Sequence, residues 1–527
     1  MITHLPRCDA FKGNPIISLL FPKSFFPIII LGWAFLLLLA GPLPAAQTTH
    51  PKPVVLGDSI KDVPARPQTG PVNPRRAFIS RRTLKAIESG ADMEFEVALK
   101  MRNFPELQQR INRGDLISPP EMAAKYNPSQ ADYQTVTDWI TSEGFKITRQ
   151  DGNHLAVFAR GKVSQIQQAL QVDFARVTVE GTEFTSAVTA PSVPTTISPL
   201  LVGINGLQPH IRAHRHSIQR QFHANSLTGT NAPYLPNQIA QAYQANGLYG
   251  SNILGAGQSI AIVIDTFPSK SDLTSFWTTY GVGQSISNIH FIQAVSGILP
   301  SPSGEETLDV EWSSSIAPAA QVRVYAATGL GFTDLDQAYQ QVYTDATTNP
   351  ALGLHQMSMS YGLGETFTSL SQCETDSQFF AELASAGVTV FASSGDGGST
   401  PDSNGDPGGP IQAESPASDP SVTSVGGTSM TLDSSGNVSS EVVWNNDLGA
   451  GGGGTSIYFT RPPWQIGNGL PSGTARAVPD VACSADPDNG AVVIFGGSQV
   501  EYGGTSWSSP TWAGFCALMN QARANVG

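Results

Sequence analysis

The sequence predicts an α/β protein: a parallel sheet with helices on both faces, preceded by a smaller α+β unit. Short apolar runs in the second half, GQSIAIVID, QVRVYAA, HQMSMSYG and GVTVFASSGD, are separated by helical stretches such as DLDQAYQQVYTDA and SQFFAELASAG. Strands joined through helices lie parallel and need cover on both faces, and the active residues of such sheets gather at the carboxyl ends of the strands. An earlier region sets the strand patterns MEFEVALKM and HLAVFARG against the helical patterns ADYQTVTDWITSEG and VSQIQQALQVD, which reads as an antiparallel sheet backed by helices. At 527 residues the chain is long enough for both units and their linkers.

Taken in order, residues 1–46 read as a signal peptide. The run FFPIIILGWAFLLLLA, from Phe25 to Ala40, follows Lys23 and leads into GPLPAAQTT, whose small residues suit cleavage near Ala45 or Ala46. Secretion is the expectation, with the membrane touched only transiently through this segment; a retained anchor is the competing reading. Residues 47–74, rich in Pro, Thr and Lys without an apolar period, read as a flexible leader, 75–207 as the α+β unit, 208–236 as a linker and 237–527 as the α/β domain. The linker holds His210, His214, His216 and His223, read either as solvated residues or as a segment that gains charge in mild acid.

Charge is unevenly spread. From Leu227 onward 5 Lys and Arg face 25 Asp and Glu, whereas the rest of the chain has 24 against 17. Parts of opposite sign attract, and acid or salt weakens that attraction. Nucleic acid is not an expected partner of so acidic a domain. Cys8 leaves with the signal peptide, and the odd count of Cys373, Cys483 and Cys516 gives no disulfide framework; Cys516 falls in an apolar helical pattern as a core residue.

Gly-Thr-Ser occurs three times, ending at Ser429, Ser456 and Ser506, and only the last leads into a helix, through Pro510 and TWAGFCALMNQA. Ser506 is thereby placed near a helix N-terminus, where free N–H groups favour developing negative charge. A serine nucleophile needs a base. Beyond Leu227 the histidines are His290 and His355, both in strand-like runs, and Asp265 in AIVIDTF is similar to a subtilisin-triad aspartate with no His-Gly-Thr segment to match. A Ser-His-Asp mechanism is therefore the competing reading. The segment GEETLDVEWSSS offers carboxylates instead: Glu305 and Asp309 stand at i and i+4 on one helix face, where two like charges raise a pKa and share a proton. Glu306 and Glu311 turn to other faces and are expected to be solvated. In GVTVFASSGDGGS, Asp396 ends a buried strand in a glycine-rich turn, where a protonated carboxyl can donate to an oxyanion. The glycine run 450–454 is not a phosphate loop, since no Lys-Ser/Thr follows it.

Together these segments resemble the sedolisin family of serine-carboxyl peptidases, of the kumamolisin type. The resemblance runs from about residue 75 to 523 through GAGQSIAIV, GEETLDVEW with IAPAA, SMSYG, SSGDGGS, ESPASDPSVTSVGGT, RAVPDVACSADP and GGTSWSSP, in the family's order. It implies Ser506 as nucleophile, Glu305 as general base, Asp309 as its partner carboxylate and Asp396 as the oxyanion-stabilising acid. It further implies a subtilisin-like sheet and a ferredoxin-like activation prodomain at 75–207. That prodomain would act as intramolecular inhibitor and folding aid, cut away within the processing linker 208–236. The implied activity is that of a secreted, acid-active endopeptidase, made as a zymogen and cleaving proteins or peptides through a seryl acyl-enzyme. A calcium ion, Ca2+, is implied with ligands beyond the catalytic helix and hence beyond Gly527, so the sequence reads as a fragment with no metal ligand of its own, loss of the site being the competing reading. Two further departures from the pattern are Asp265 where a glutamate is usual near Ile264, and Tyr361 where a tryptophan is usual, which is expected to change the packing beside the carboxylate pair. The reading from a different class is a catalytically silent or truncated homologue that acts as a secreted binding protein.

Overall fold

The computed structural model describes residues 52–63, 79–222 and 233–526. The signal segment, Cys8 and His223 lie outside them, and among the described residues no helix is long and apolar enough to cross a membrane.

The first folded layer is an antiparallel sheet in which Asp92–Leu99 lies between Ala156–Lys162 and Leu201–Asn205, with Lys146–Gln150 outside Ala156–Lys162. The helices Gln130–Ser142 and Val163–Ala169 bring Val136, Ile140 and Ile166 into one core with Phe95, Val97 and Val157 of the sheet. Ser129 caps the longer helix by accepting from the Asp132 N–H at 3.1 Å. The leader departs from expectation. Val54–Val55 pairs with Ser192–Val193, and the buried Ser59 hydroxyl accepts from the Ile204 N–H at 3.0 Å, so residues 52–63 dock on the α+β unit. The reason is local: VV is an apolar pair too short to register as a period but able to form a two-stranded ladder with Ser192–Val193.

The main sheet runs in the order Ile289–Gln293, Gln321–Ala326, Ser259–Ile264, Leu354–Met359, Thr389–Ser393, Val422–Leu432, Val438–Val443. Every neighbouring pair is parallel except the last, and Val481–Ser484 adds a further parallel partner to Val422–Leu432. All six residues of Ser259–Ile264 are buried, as a strand covered on both faces requires. The helices Glu305–Ile316 and Thr505–Val526 pack together, as do Phe332–Thr348 and Leu370–Ser385. Chain order reverses around Ser259–Ile264, since its successor in sequence lies two places to one side while Leu354–Met359 lies on the other. This is the switch point at whose carboxyl end a site is expected.

The α+β unit sits on the helices Phe332–Thr348 and Leu370–Ser385. Asn153 Nδ2 donates to Gln340 Oε1 at 2.5 Å and Glu382 Oε2 at 2.6 Å, Asn205 Nδ2 to Glu96 Oε2 at 3.1 Å and Thr375 Oγ1 at 3.0 Å, and the Met101 N–H to Gln378 Oε1 at 2.6 Å. Gly203 is obligatory here, because a Cβ would meet the Ser371 side chain at 2.5 Å. Among the described residues the ion pairs that reach the α/β domain come from the linker, through His214, Arg215, His216 and Arg220, and not from the α+β unit. The α+β unit itself thus adds no salt bridge to its contact with these helices, which uses amides and buried carboxyls; the ion pairs between the basic and acidic parts are carried by the linker.

Candidate active site

Ser506 is the second residue of the helix Thr505–Val526 and is fully buried. Pro510, four residues on, has no N–H to give to the Ser506 carbonyl. That carbonyl lies 3.3 Å from the Ser360 hydroxyl, which stands at the carboxyl end of Leu354–Met359. The Ser506 hydroxyl in turn donates to the Ser360 carbonyl at 3.3 Å.

Glu305 opens the helix Glu305–Ile316, entered through Gly304 at φ 99°, where a Cβ would collide with the Tyr502 hydroxyl. Both oxygens of Glu305 are buried without a hydrogen-bond partner. Burial is the main cause that raises its pKa, to about 7; the Ser217 and Ser506 side chains partly offset this, although neither stands in hydrogen-bonding geometry. One turn on, Asp309 is raised well above the usual carboxylate range, by burial first and by the charge of Glu305 second. Its Oδ1 lies 2.6 Å from the Ser360 hydroxyl. A protonated Asp309 can therefore donate to Ser360, whose own proton then serves the Ser506 carbonyl.

Glu306 and Glu311 are not solvated. Every residue of Glu305–Ile316 is buried, because the helix is packed between the nucleophile helix, the helix Lys270–Tyr280 and the strand Ala491–Phe495. Glu306 accepts from the Ser303 N–H and hydroxyl and from the Gly304 N–H, and Glu311 accepts from the Ile494 N–H at 3.1 Å while burial pushes its pKa well up. Helical periodicity locates faces but not what covers them.

Asp396 follows the strand Thr389–Ser393. Its Oδ1 accepts from the Thr505 N–H at 2.8 Å and the Thr505 hydroxyl at 2.9 Å, while Oδ2 is buried and unpartnered. Burial raises its pKa to about 7, against the lowering effects of the nearby His216 charge and the Thr505 bonds.

The linker runs through the middle of this constellation. His214–Arg215 pairs antiparallel with Tyr361–Gly364, and Ile218–Arg220 pairs antiparallel with Ser498–Gly503, so the chain is held extended on both sides of Ser506. Between these two ladders the Ser506 N–H donates to the His216 carbonyl at 3.0 Å. Gly504, at φ 110°, makes room: a Cβ there would strike both that carbonyl oxygen and Asp396 Oδ2, so the two crowd one point. Arg215 reaches Asp265 Oδ2 at 2.5 Å. The His216 ring is buried, with Nδ1 2.7 Å from the Ser393 hydroxyl and Nε2 3.0 Å from Glu414 Oε2.

The linker histidines are therefore not solvated residues, with His216 fully buried and His214 largely so. Sequence reasoning gave no role to Ser360, Ser393 and Glu414, although they lie within the segments SMSYG, SSGDGGS and ESPASDPSVTSVGGT, and placed no metal ligand in the chain. Among the described residues, His214, His216 and Glu414 gather potential ligand atoms within 4.8 Å of one another. Imidazoles do not suit calcium, which takes oxygen ligands, and no step below runs through that ion. Neither His290, which meets Gln321, nor His355, which meets Gln258, stands beside Ser506, so a Ser-His-Asp arrangement with either is not formed. Tyr361, in place of the usual tryptophan, is buried with its hydroxyl 3.0 Å from that of Tyr339.

Residues 81–209 match the family described as "Pro-kumamolisin, activation domain". Over 452 residues the chain is 29% identical to kumamolisin of Bacillus sp. (strain MN-32), covering 81% of this chain and 79% of that protein. The chain is similar to the sedolisin family of serine-carboxyl peptidases. It is 28% identical over 475 residues to sedolisin of Pseudomonas sp. (strain 101), covering 84% of this chain and 78% of that one. A solved structure of Pseudomonas sedolisin, a serine-carboxyl proteinase complexed with two molecules of pseudo-iodotyrostatin, superposes with a TM-score of 0.50 at 29% identity. It covers 56% of this chain and 83% of the sedolisin chain. The protein is thus a serine peptidase that carries an activation domain.

Proposed function

We propose that the chain is the precursor of a secreted, acid-active endopeptidase whose first substrate is its own linker, cut between His216 and Ser217. The observation that carries this reading is the His216 carbonyl resting on the Ser506 N–H inside a segment held extended by two strand pairings. In the proposed reaction the Ser506 hydroxyl attacks the His216 carbonyl carbon and its proton passes to Glu305, which shares charge with Asp309. Charge developing on the carbonyl oxygen is met by the Ser506 N–H and the protonated carboxyl of Asp396. Glu305 then protonates the leaving nitrogen of Ser217 as the bond breaks, and the acyl group stays on Ser506. Water completes hydrolysis, losing its proton to Glu305 and restoring the serine.

The pH window follows from two opposed requirements. The Glu305–Asp309 pair must lose one proton to act as base, which sets the acid limb, and Asp396 must keep its proton, which sets the neutral limb. Burial is the leading cause of the raised pKa of Glu305, while Ser217, Arg215 and His216 of the linker lower it, so clearing the linker relieves the first and removes the others, and the acid limb moves by the balance of the two. The two residues before the cut indicate substrates with an imidazole next to the scissile bond, received by Ser393 and Glu414, and an arginine one place earlier, received by Asp265.

The test is a time course by intact mass of the full chain near pH 4 and near pH 7, beside Ser506→Ala. Cleavage after His216, in acid and only with Ser506, is the expected result. A folded precursor that stays intact in acid would instead favour the silent-homologue reading.

A further inference from the structure

We propose that His214, His216 and Glu414 form a transition-metal site, suited to Zn2+, that is complete only while the linker lies in the cleft. His214 and His216 are two residues apart on extended chain and so present their rings to one side, with ring centroids 5.0 Å apart. Glu414 Oε2 stands 3.4 Å from His214 Nε2 and 3.0 Å from His216 Nε2. Zinc bonds of about 2.0–2.1 Å in tetrahedral geometry place ligand atoms roughly 3.3–3.5 Å apart, so Glu414 already stands near that spacing from both imidazoles, and all three potential ligand atoms lie within 4.8 Å of one another.

The surroundings fit a ligand set better than a packing accident. Both ring nitrogens of His214 and Oε1 of Glu414 are buried without a hydrogen-bond partner. The Ser393 hydroxyl, 2.7 Å from His216 Nδ1, holds that ring by its far nitrogen and leaves Nε2 to face Glu414, the outer-shell contact that metal-bound histidines use. Backbone at Gly362, Gly395 and Gly405 lines the cluster, where a Cβ would strike His216 or Glu414, Glu414, and His214 respectively. Two imidazoles and one carboxylate are a borderline donor set that favours zinc over calcium or magnesium. With two ligands from the linker and one from the α/β domain, the ion ties the linker into the cleft, and the site disappears when the linker leaves.

The test is calorimetric titration of the full-length Ser506→Ala chain with Zn2+, repeated with His214→Ala and with Glu414→Gln, and read independently by the visible absorption of the Co2+ form. One equivalent bound, with affinity at least tenfold weaker in both variants and a tetrahedral Co2+ spectrum lost in both, is the expected result. No stoichiometric binding, or binding unchanged in the two variants, overturns the proposal. Because Ser506→Ala cannot cut its linker, the outcome is independent of whether the chain is an active peptidase.

Discussion

Replacing Asp396 by asparagine isolates the role of its proton. Thr505 fixes Oδ1 with two hydrogen bonds, so a proton on this carboxyl belongs on Oδ2, the unpartnered oxygen at the point it shares with the His216 carbonyl. Asparagine keeps an acceptor toward Thr505 and puts an NH2 donor at the other position, independent of pH. With Asp396 raised to about 7, its protonated fraction falls roughly tenfold between pH 6 and pH 8. Losing the linker removes the His216 charge that lowers this pKa and admits water that relieves burial. These changes oppose each other, so the limb stays above the ordinary aspartate range. The assay is kcat/KM of the processed enzyme on a fluorogenic peptide copying residues 212–220, across the pH range. Wild type is expected to lose about tenfold per pH unit above its limb, Asp396→Asn to lose that limb while keeping its activity in acid to within about tenfold, and Asp396→Ala to fall about 10²–10³ at every pH. An Asp396→Asn profile with the wild-type limb unmoved would refute the assignment.

Glu305→Gln and Asp309→Asn should each lower kcat by about 10²–10⁴ with little change in KM, since they act on the proton rather than on binding, which steady-state kinetics of the processed enzyme will show. Arg215→Ala leaves Asp265 buried without its cation and should slow self-cleavage roughly tenfold or more, as followed by intact mass. Docking of the α+β unit has its own pH dependence: burial raises Glu96 and Asp376 to about 7 and Asp336 well above the usual range. Carboxyls raised on docking take up protons, so their contribution is fully present below the ordinary carboxylate range and is lost as pH rises through about 7. At this contact acid therefore strengthens docking, against the expectation from net charge, and hydrogen exchange of residues 92–99 in the Ser506→Ala chain should slow as pH falls to 5 after correction for intrinsic rates. Glu96→Gln should flatten that dependence. Salt should leave the same exchange nearly unchanged, since no ion pair among the described residues joins the α+β unit to the α/β domain.

The sequence by itself determined the alternation of strands and helices, the position of Ser506 at a helix start ahead of Pro510, and the i, i+4 spacing of Glu305 and Asp309. These are local properties: a period, a turn and a proline act within a few residues, and their physics is complete in the chain. Tertiary structure decided everything that depends on what lies opposite. It buried Glu306 and Glu311, because a helix packed on every side has no solvated face, and it docked Val54–Val55, because Ser192–Val193 offers its backbone as a partner. It also brought Ser360, Ser393 and Glu414 to the linker. The largest difference concerns that linker: residues 214–220 have no period and read as an open connection, yet strands on two sides give their backbone partners and Ser506 receives the carbonyl between them. Backbone hydrogen bonding is indifferent to side-chain pattern, so an extended segment that borrows its order from a cleft leaves no signal in its own sequence.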